Sequence, residues 1–184
     1  MKARFTAVFA ALMLLMGLYH AAAEQTAEDF LDRGIFFAGR GDFETAIMEF
    51  TDAIRLDPDF APAYNNRGLA YAQTGEFTRA ILDYNHALRL DPNYMIAYNN
   101  RGLAYVQIND IDNAIADFGE VIRLNPNSAA AYINRGNIHF RRGNYELAIA
   151  DYESALWIDP NNAHAIQWIE ESRRWLDESR RQRR

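Results

Sequence analysis

Cysteine is missing from all 184 residues. Its absence removes disulfides, thiolate nucleophiles, cysteine-ligated zinc and acylation of a lipoprotein cysteine. No N-x-S/T sequon is present, so nothing marks a glycosylated surface. The apolar run from Phe5 to Tyr19 has only 15 residues, where a membrane-spanning helix needs about 20. Basic charge is short too: 19 Lys and Arg stand against 25 Asp and Glu. That balance opposes nucleic acid, which calls for a basic stripe along its phosphates. The chain lacks G-x-S-x-G, P-loop and dinucleotide fingerprints. His86, His139 and His164 lie apart and are not matched by carboxylates at zinc-ligand spacing, which makes them surface or packing residues. The expectation is a protein that is not an enzyme, with no catalytic residues, no metal, no cofactor and no small-molecule substrate.

What the chain does have begins with a segment outside its fold. Lys2 and Arg4 precede the apolar run, and Ala21-Ala22-Ala23 precede the polar stretch from Glu24. A basic start, a short apolar core and an A-x-A site spell a secretory signal peptide over residues 1–23, cleaved after Ala23. The expected location is therefore outside the cytoplasm, periplasmic or secreted, in a bacterium. The alternative keeps the segment as an uncleaved membrane anchor. Without Lys2 and Arg4 the chain carries 17 basic and 25 acidic side chains, a net −8. Having no disulfides, an exported chain of this kind relies on packing alone. Arg173, Arg174, Arg180, Arg181, Arg183 and Arg184 crowd the last dozen residues. They suit a solvated helix end, where positive charge favours the macrodipole. Membrane contact is left to this tail or to an uncleaved signal segment.

The nonapeptide AYNNRGLAY occurs at residues 63–71 and again at 97–105, a shift of 34. The same shift aligns four blocks over residues 27–60, 61–94, 95–128 and 129–162. The fourth place is aromatic (Phe30, Tyr64, Tyr98, Tyr132), the eighth is Gly34, Gly68, Gly102 or Gly136, and the eleventh is Phe37, Tyr71, Tyr105 or His139. The twentieth is always alanine (Ala46, Ala80, Ala114, Ala148), the twenty-fourth aromatic (Phe50, Tyr84, Phe118, Tyr152), and each block nears its end at Pro58, Pro92, Pro126 or Pro160. Tyr64, Gly68 and Tyr71 share one helical face, as do Ala80, Tyr84 and Ala87 on a second helix. Gly75 between them can end the first helix with positive φ, and Asn109 tolerates the same conformation in the third block. Each hairpin leaves one apolar face that must be buried on the next. Residues 163–179 read as one amphipathic capping helix with Ile166, Ile169 and Trp168 inward, and the arginine-rich end beyond Ser179 is expected to fray.

This pattern resembles the tetratricopeptide repeat family over residues 27–162. The resemblance implies an all-α fold, a right-handed solenoid of four helix-turn-helix repeats whose first helices line a concave surface. The array would occupy residues 24–162, and residues 163–184 would supply the cap and the arginine-rich tail.

Arg33, Arg67, Arg101 and Arg135 recur at one place in each block, and sixteen residues after each stands an acid: Glu49, Asp83, Asp117 or Asp151. The first set lies on the outgoing helix and the second on the returning helix, so ion pairs between the two are expected. Asn66, Asn100 and Asn134 fill the sixth place, with Asn65 and Asn99 before two of them. In the family this side faces the groove, and such asparagines resemble a ladder that holds a peptide backbone. An amide carries both donor and acceptor, matching peptide N–H and C=O whatever the side chains. The resemblance places Leu31, Ile35, Leu69, Ala72, Ile96, Leu103, Val106, Ile133 and Phe140 along the same surface, with Gln73, Gln107, Asn137 and Arg141 between them. Some relatives clamp a C-terminal carboxylate with lysine, arginine and asparagine on these helix faces. The comparable places here hold Leu31, Ile35, Asn66, Ile96 and Asn100, so the cationic half is missing and that clamp is not expected. The expected partner is another protein, held by an extended segment. A scaffold or self-assembling subunit using the convex face or the ends is the alternative.

Overall fold

The computed structural model describes residues 25–182, so the expected signal segment over 1–23 lies outside it. Among the described residues every regular element is a helix. The first hairpin is α1 (Ala27–Gly39) with α2 (Phe43–Leu56), and the second is α3 (Ala61–Gln73) with α4 (Phe77–Leu90). Then come α5 (Met95–Gln107) with α6 (Ile111–Leu124), α7 (Ala129–Arg141) with α8 (Tyr145–Ile158), and the closing helix α9 (Ala163–Gln182).

Local chemistry sets these boundaries. Thr26 and Asp29 form a reciprocal cap on α1: Asp29 N–H donates to Thr26 Oγ1 at 3.2 Å, and Thr26 N–H donates to Asp29 Oδ2 at 2.9 Å. Within each hairpin the turn holds one residue in the left-handed region: Gly41 at φ 80°, Gly75 at 83°, Asn109 at 60° and Gly143 at 75°. Asn109 stands where the other turns use glycine, its short polar side chain tolerating that conformation. Each second helix ends on an aspartate or asparagine followed by proline. The side-chain oxygens of Asp57, Asp91, Asn125 and Asp159 accept the backbone N–H two residues on, at 3.0, 2.9, 3.1 and 3.3 Å. The proline between cannot prolong the helix.

Inside each hairpin Ala46, Ala80, Ala114 and Ala148 are fully buried, and Phe50, Tyr84, Phe118 and Tyr152 are exposed by at most 1%. The glycines let the helices close on these rings. A Cβ on Gly68 would stand 2.8 Å from Tyr84 Cε1 and 3.1 Å from the backbone oxygen of Ala80. Only a hydrogen fits there. Between hairpins, α2 packs on α3, α4 on α5 and α6 on α7. The first helices also touch one another, α1 with α3 and α3 with α5, which puts them side by side on one surface.

Helix α9 plays the part of a fifth first helix. Ala165 and Ser172 are fully buried and Ile169 is 6% exposed, packed into a core with Tyr152, Ala155 and Trp168. Two expectations change here. Ile166 is 44% exposed rather than buried, because it sits where a repeat would face its returning helix, and no helix among the described residues covers it there. The helix also runs to Gln182 instead of fraying after Ser179. Arg180 reaches Glu146 at 3.2 Å and Arg173 reaches Glu153 at 3.0 Å, tying the basic end to α8. No described helix is long and apolar enough to cross a membrane.

Candidate functional site

The recurrent arginines hold the two helices of each hairpin together. Arg67 donates from Nε to Asp83 Oδ2 at 2.8 Å and from Nη2 to Oδ1 at 2.8 Å. Arg101 meets Asp117 at 2.8 and 2.7 Å, and Arg135 meets Asp151 at 3.0 and 2.7 Å, in the same two-pronged form. In the first repeat Arg33 places both Nε and Nη2 on one oxygen of Glu49. That pair is wetter, with side-chain exposures of 40% and 16% against 18% and 7% for Arg67 and Asp83. Two arginines also reach back to the preceding repeat, Arg67 Nη1 to Thr51 Oγ1 at 3.1 Å and Arg101 Nη1 to Asn85 Oδ1 at 2.5 Å. Gly119 stands at the matching place before Arg135 and offers no side chain. Each guanidinium lies over the first aromatic of its own repeat, 4.4 Å from the Phe30 centroid and 5.7, 5.4 and 5.9 Å from Tyr64, Tyr98 and Tyr132. The sequence reading assigned those aromatics to packing alone, although their i, i+3 spacing from the arginines was visible. Hydrogen bonding to Asp83 and Asp151 raises the pKa of Arg67 and Arg135, so these arginines stay charged.

His139 has no such partner. It replaces the second aromatic of the fourth repeat, and its Nδ1 is buried without a hydrogen bond. Burial pushes its pKa below the ordinary histidine range, opposed by Asp151, whose Oδ2 lies 3.9 Å from Nε2. Arg135 and Arg142 push in the same direction as burial.

The first helices carry two adjoining recesses that meet at Leu103. One, of about 370 Å³, is lined from α3 and α5 by Leu69, Ala72, Gln73, Asn100, Leu103, Ala104 and Gln107, with Phe77 and Tyr84 behind. The other, of about 350 Å³, is lined by Leu103, Val106, Asn134, Asn137, Phe140 and Arg141, closed by His164 and Trp168 of α9 and backed by Phe118, Ile138 and Tyr152. Leu69 and Leu103 are 39% and 44% exposed, so the channel floor is apolar and wet. Among the described residues no group of histidines and acids is placed to hold a metal ion.

Not every expected groove residue lies here. Asn65 is only 4% exposed and accepts from Asn100 Nδ2 at 3.1 Å, so it braces two repeats instead of facing a ligand. Asn66 turns its amide back onto the Pro62 carbonyl of its own helix at 2.8 Å, and neither it nor Asn99 lines a recess. Leu31 and Ile133 pack against the cores, while Ile35 and Ile96 are exposed outside both recesses. Leu69, Gln73, Asn100, Leu103, Gln107, Asn134, Asn137 and Arg141 are brought together. Tyr152 and His164, expected only as packing or surface residues, hydrogen-bond to Asn137, and Trp168, expected in the core, also lines the recess. The signal for His164 was weak: it is a lone histidine one residue into the capping helix.

Stacked antiparallel helix pairs with an amide-lined channel across their first helices define a helical-repeat solenoid. Family models described as tetratricopeptide repeats match residues 99–163, and 37–75 with 70–109. Together they span well over half the chain, which belongs to the tetratricopeptide repeat family, whose members are generally interaction modules and not catalysts. A crystal structure of MamA protein superposes with a TM-score of 0.76 at 28% identity, covering 85% of this chain and 87% of that one. A tetratricopeptide repeat protein from Parabacteroides merdae superposes at 0.75 with 23% identity over 85% of this chain and 64% of that one. The first TPR of Spaghetti (RPAP3), bound to the HSP90 peptide SRMEEVD, superposes at 0.62 with 28% identity over 64% and 95% of the two chains. No curated protein matches the chain.

Proposed function

We propose that this chain is a non-enzymatic adaptor of the bacterial cell envelope, exported with loss of residues 1–23, that binds an extended segment of a partner protein in its concave channel. The observation that carries the reading is the pair of recesses joined at Leu103, with Gln73, Asn100, Gln107 and Asn134 beside exposed leucines. Amides serve a peptide backbone, and the leucines serve its side chains. SRMEEVD is acidic, whereas Arg141 is the single guanidinium lining the two recesses. An acidic tail is therefore not the proposed ligand.

The test is affinity capture from an envelope fraction, with the chain from Glu24 as bait beside a folded Asn100→Ala/Asn134→Ala control. A protein held by the first and lost by the second places the contact in the channel. Equal retention by both sinks the channel reading. It would favour assembly through the outer side, where Met48, Leu82 and Trp157 are 62%, 57% and 82% exposed. N-terminal sequencing of the exported form checks the location: a chain that still begins at Met1 defeats the cleavage reading.

A further inference from the structure

The recess closed by α9 is built differently from its neighbour. At the ninth place of the first three repeats stand Ile35, Leu69 and Leu103; in the fourth stands Asn137. Tyr152 donates its hydroxyl to Asn137 Oδ1 at 2.8 Å, and His164 Nε2 lies 3.1 Å from the same oxygen. An amide oxygen only accepts, so Nε2 carries the proton. These two bonds orient the amide with Oδ1 toward Tyr152 and His164, and its Nδ2, on a residue that lines the recess, is left as a donor with no partner among the described residues. Tyr152 is fully buried, and burial raises its pKa and keeps it a donor.

We propose that this recess is the specificity pocket of the channel: it takes one bulky apolar side chain of an extended peptide, and Asn137 Nδ2 donates to a neighbouring backbone carbonyl. The inference rests on the channel reading above and adds what the channel selects. Two features of the lining define the occupant. Leu103, Val106, Phe140 and Trp168 present apolar surface from three helices around a half-open space of about 350 Å³, so a ring or branched chain seated there would be shielded from water on the sides they cover. No carboxylate lines the recess, and Arg141 beside Asn137 can only donate. A lysine or arginine meets no opposite charge here, whereas a carbonyl meets two donors, Asn137 Nδ2 and the Arg141 guanidinium. The neighbouring recess, with Gln73, Asn100 and Gln107, offers amides that serve any backbone and select little.

The test selects random linear peptides, displayed with both ends fused, on the immobilised full chain. The expected result is one position dominated by Phe, Leu, Ile, Met or Trp, with the others unselective. Val106→Phe fills the recess from one wall and is expected to erase that dominance. Asn137→Asp keeps an oxygen for Tyr152 and His164 but turns an acceptor toward the carbonyl, weakening the best peptide by about tenfold. Far-ultraviolet circular dichroism confirms that both variants fold. Peptides lost on Asn100→Ala that carry no dominant apolar position, or that bind Val106→Phe undiminished, overturn the pocket and leave the channel reading standing. If no peptide sensitive to Asn100→Ala is selected, the channel reading falls and the pocket with it.

Discussion

Removing Asp83 tests whether the recurrent ion pairs hold the array together. The Asp83 side chain is 7% exposed and that of Arg67 18%, and two hydrogen bonds of 2.8 Å join them. Asp83→Ala leaves a half-buried guanidinium with only Thr51 and the Tyr64 ring for company. Breaking such a pair from one side costs about 3–5 kcal/mol, because the surviving charge stays desolvated. Glu49→Ala removes the equivalent acid from a pair whose arginine is 40% exposed. Water can solvate that arginine in place of the lost partner, so the expected cost is at most about 1 kcal/mol. For an array of this size about 4 kcal/mol lowers Tm by roughly 10 °C, and 1 kcal/mol by a few degrees. Urea and thermal melts followed at 222 nm read both numbers. The slope of each urea curve must be compared as well, since repeat arrays can unfold in parts. If Asp83→Ala and Glu49→Ala cost the same, burial does not set the value of these pairs and the argument fails. An Arg67→Ala/Asp83→Ala cycle with no coupling energy would refute it equally.

Other perturbations follow from single contacts. Gly68→Ala is expected to destabilise by about 1–2 kcal/mol despite better helix propensity, because its methyl meets Tyr84 and the Ala80 carbonyl; Gly39→Ala, with nothing within 4 Å, is expected to stabilise by about 0.5 kcal/mol, and thermal melts of the pair check the sign. Gly119→Asn supplies the acceptor that Asn85 gives Arg101 and removes a mid-helix glycine, so a gain of about 1 kcal/mol in a urea melt is expected. His139 has a folded pKa below its ordinary 6.5, so the unfolded chain binds the extra proton first. Its contribution is complete above pH 6.5 and is lost as pH falls through the window between that value and the folded pKa. His139→Phe is expected to flatten this acid slope, and a stability profile between pH 7 and 5 that keeps the same slope would contradict the assignment.

Much of the architecture could be read from the chain because it depends on local order. A 34-residue period, small residues facing rings, and proline after aspartate or asparagine are statements about neighbours within one hairpin, and every hairpin obeys them. The arginine–acid interval of sixteen was legible for the same reason: it spans one turn between two packed helices. Other properties depend on which repeat lies next door. Ile166 is exposed because no returning helix among the described residues covers it, and the basic tail is helical because α8 offers it Glu146 and Glu153.

The two copies of AYNNRGLAY draw the line most clearly. Sequence alone determined that both form a first helix with Tyr, Gly and Tyr inward and Arg toward the acid sixteen residues on. It could not separate Asn65 from Asn99, since their flanking letters are the same. The tertiary structure buries Asn65 to 4% exposure and engages it with Asn100 of the following repeat, while Asn99 meets no such bond from Asn134. The same holds for Asn137, whose amide is oriented by Tyr152 and His164 from two other helices. A hairpin is specified by contacts close in sequence, but a groove is made between repeats. Whether an amide there is free for a ligand is decided by side chains that only the stacking brings within reach.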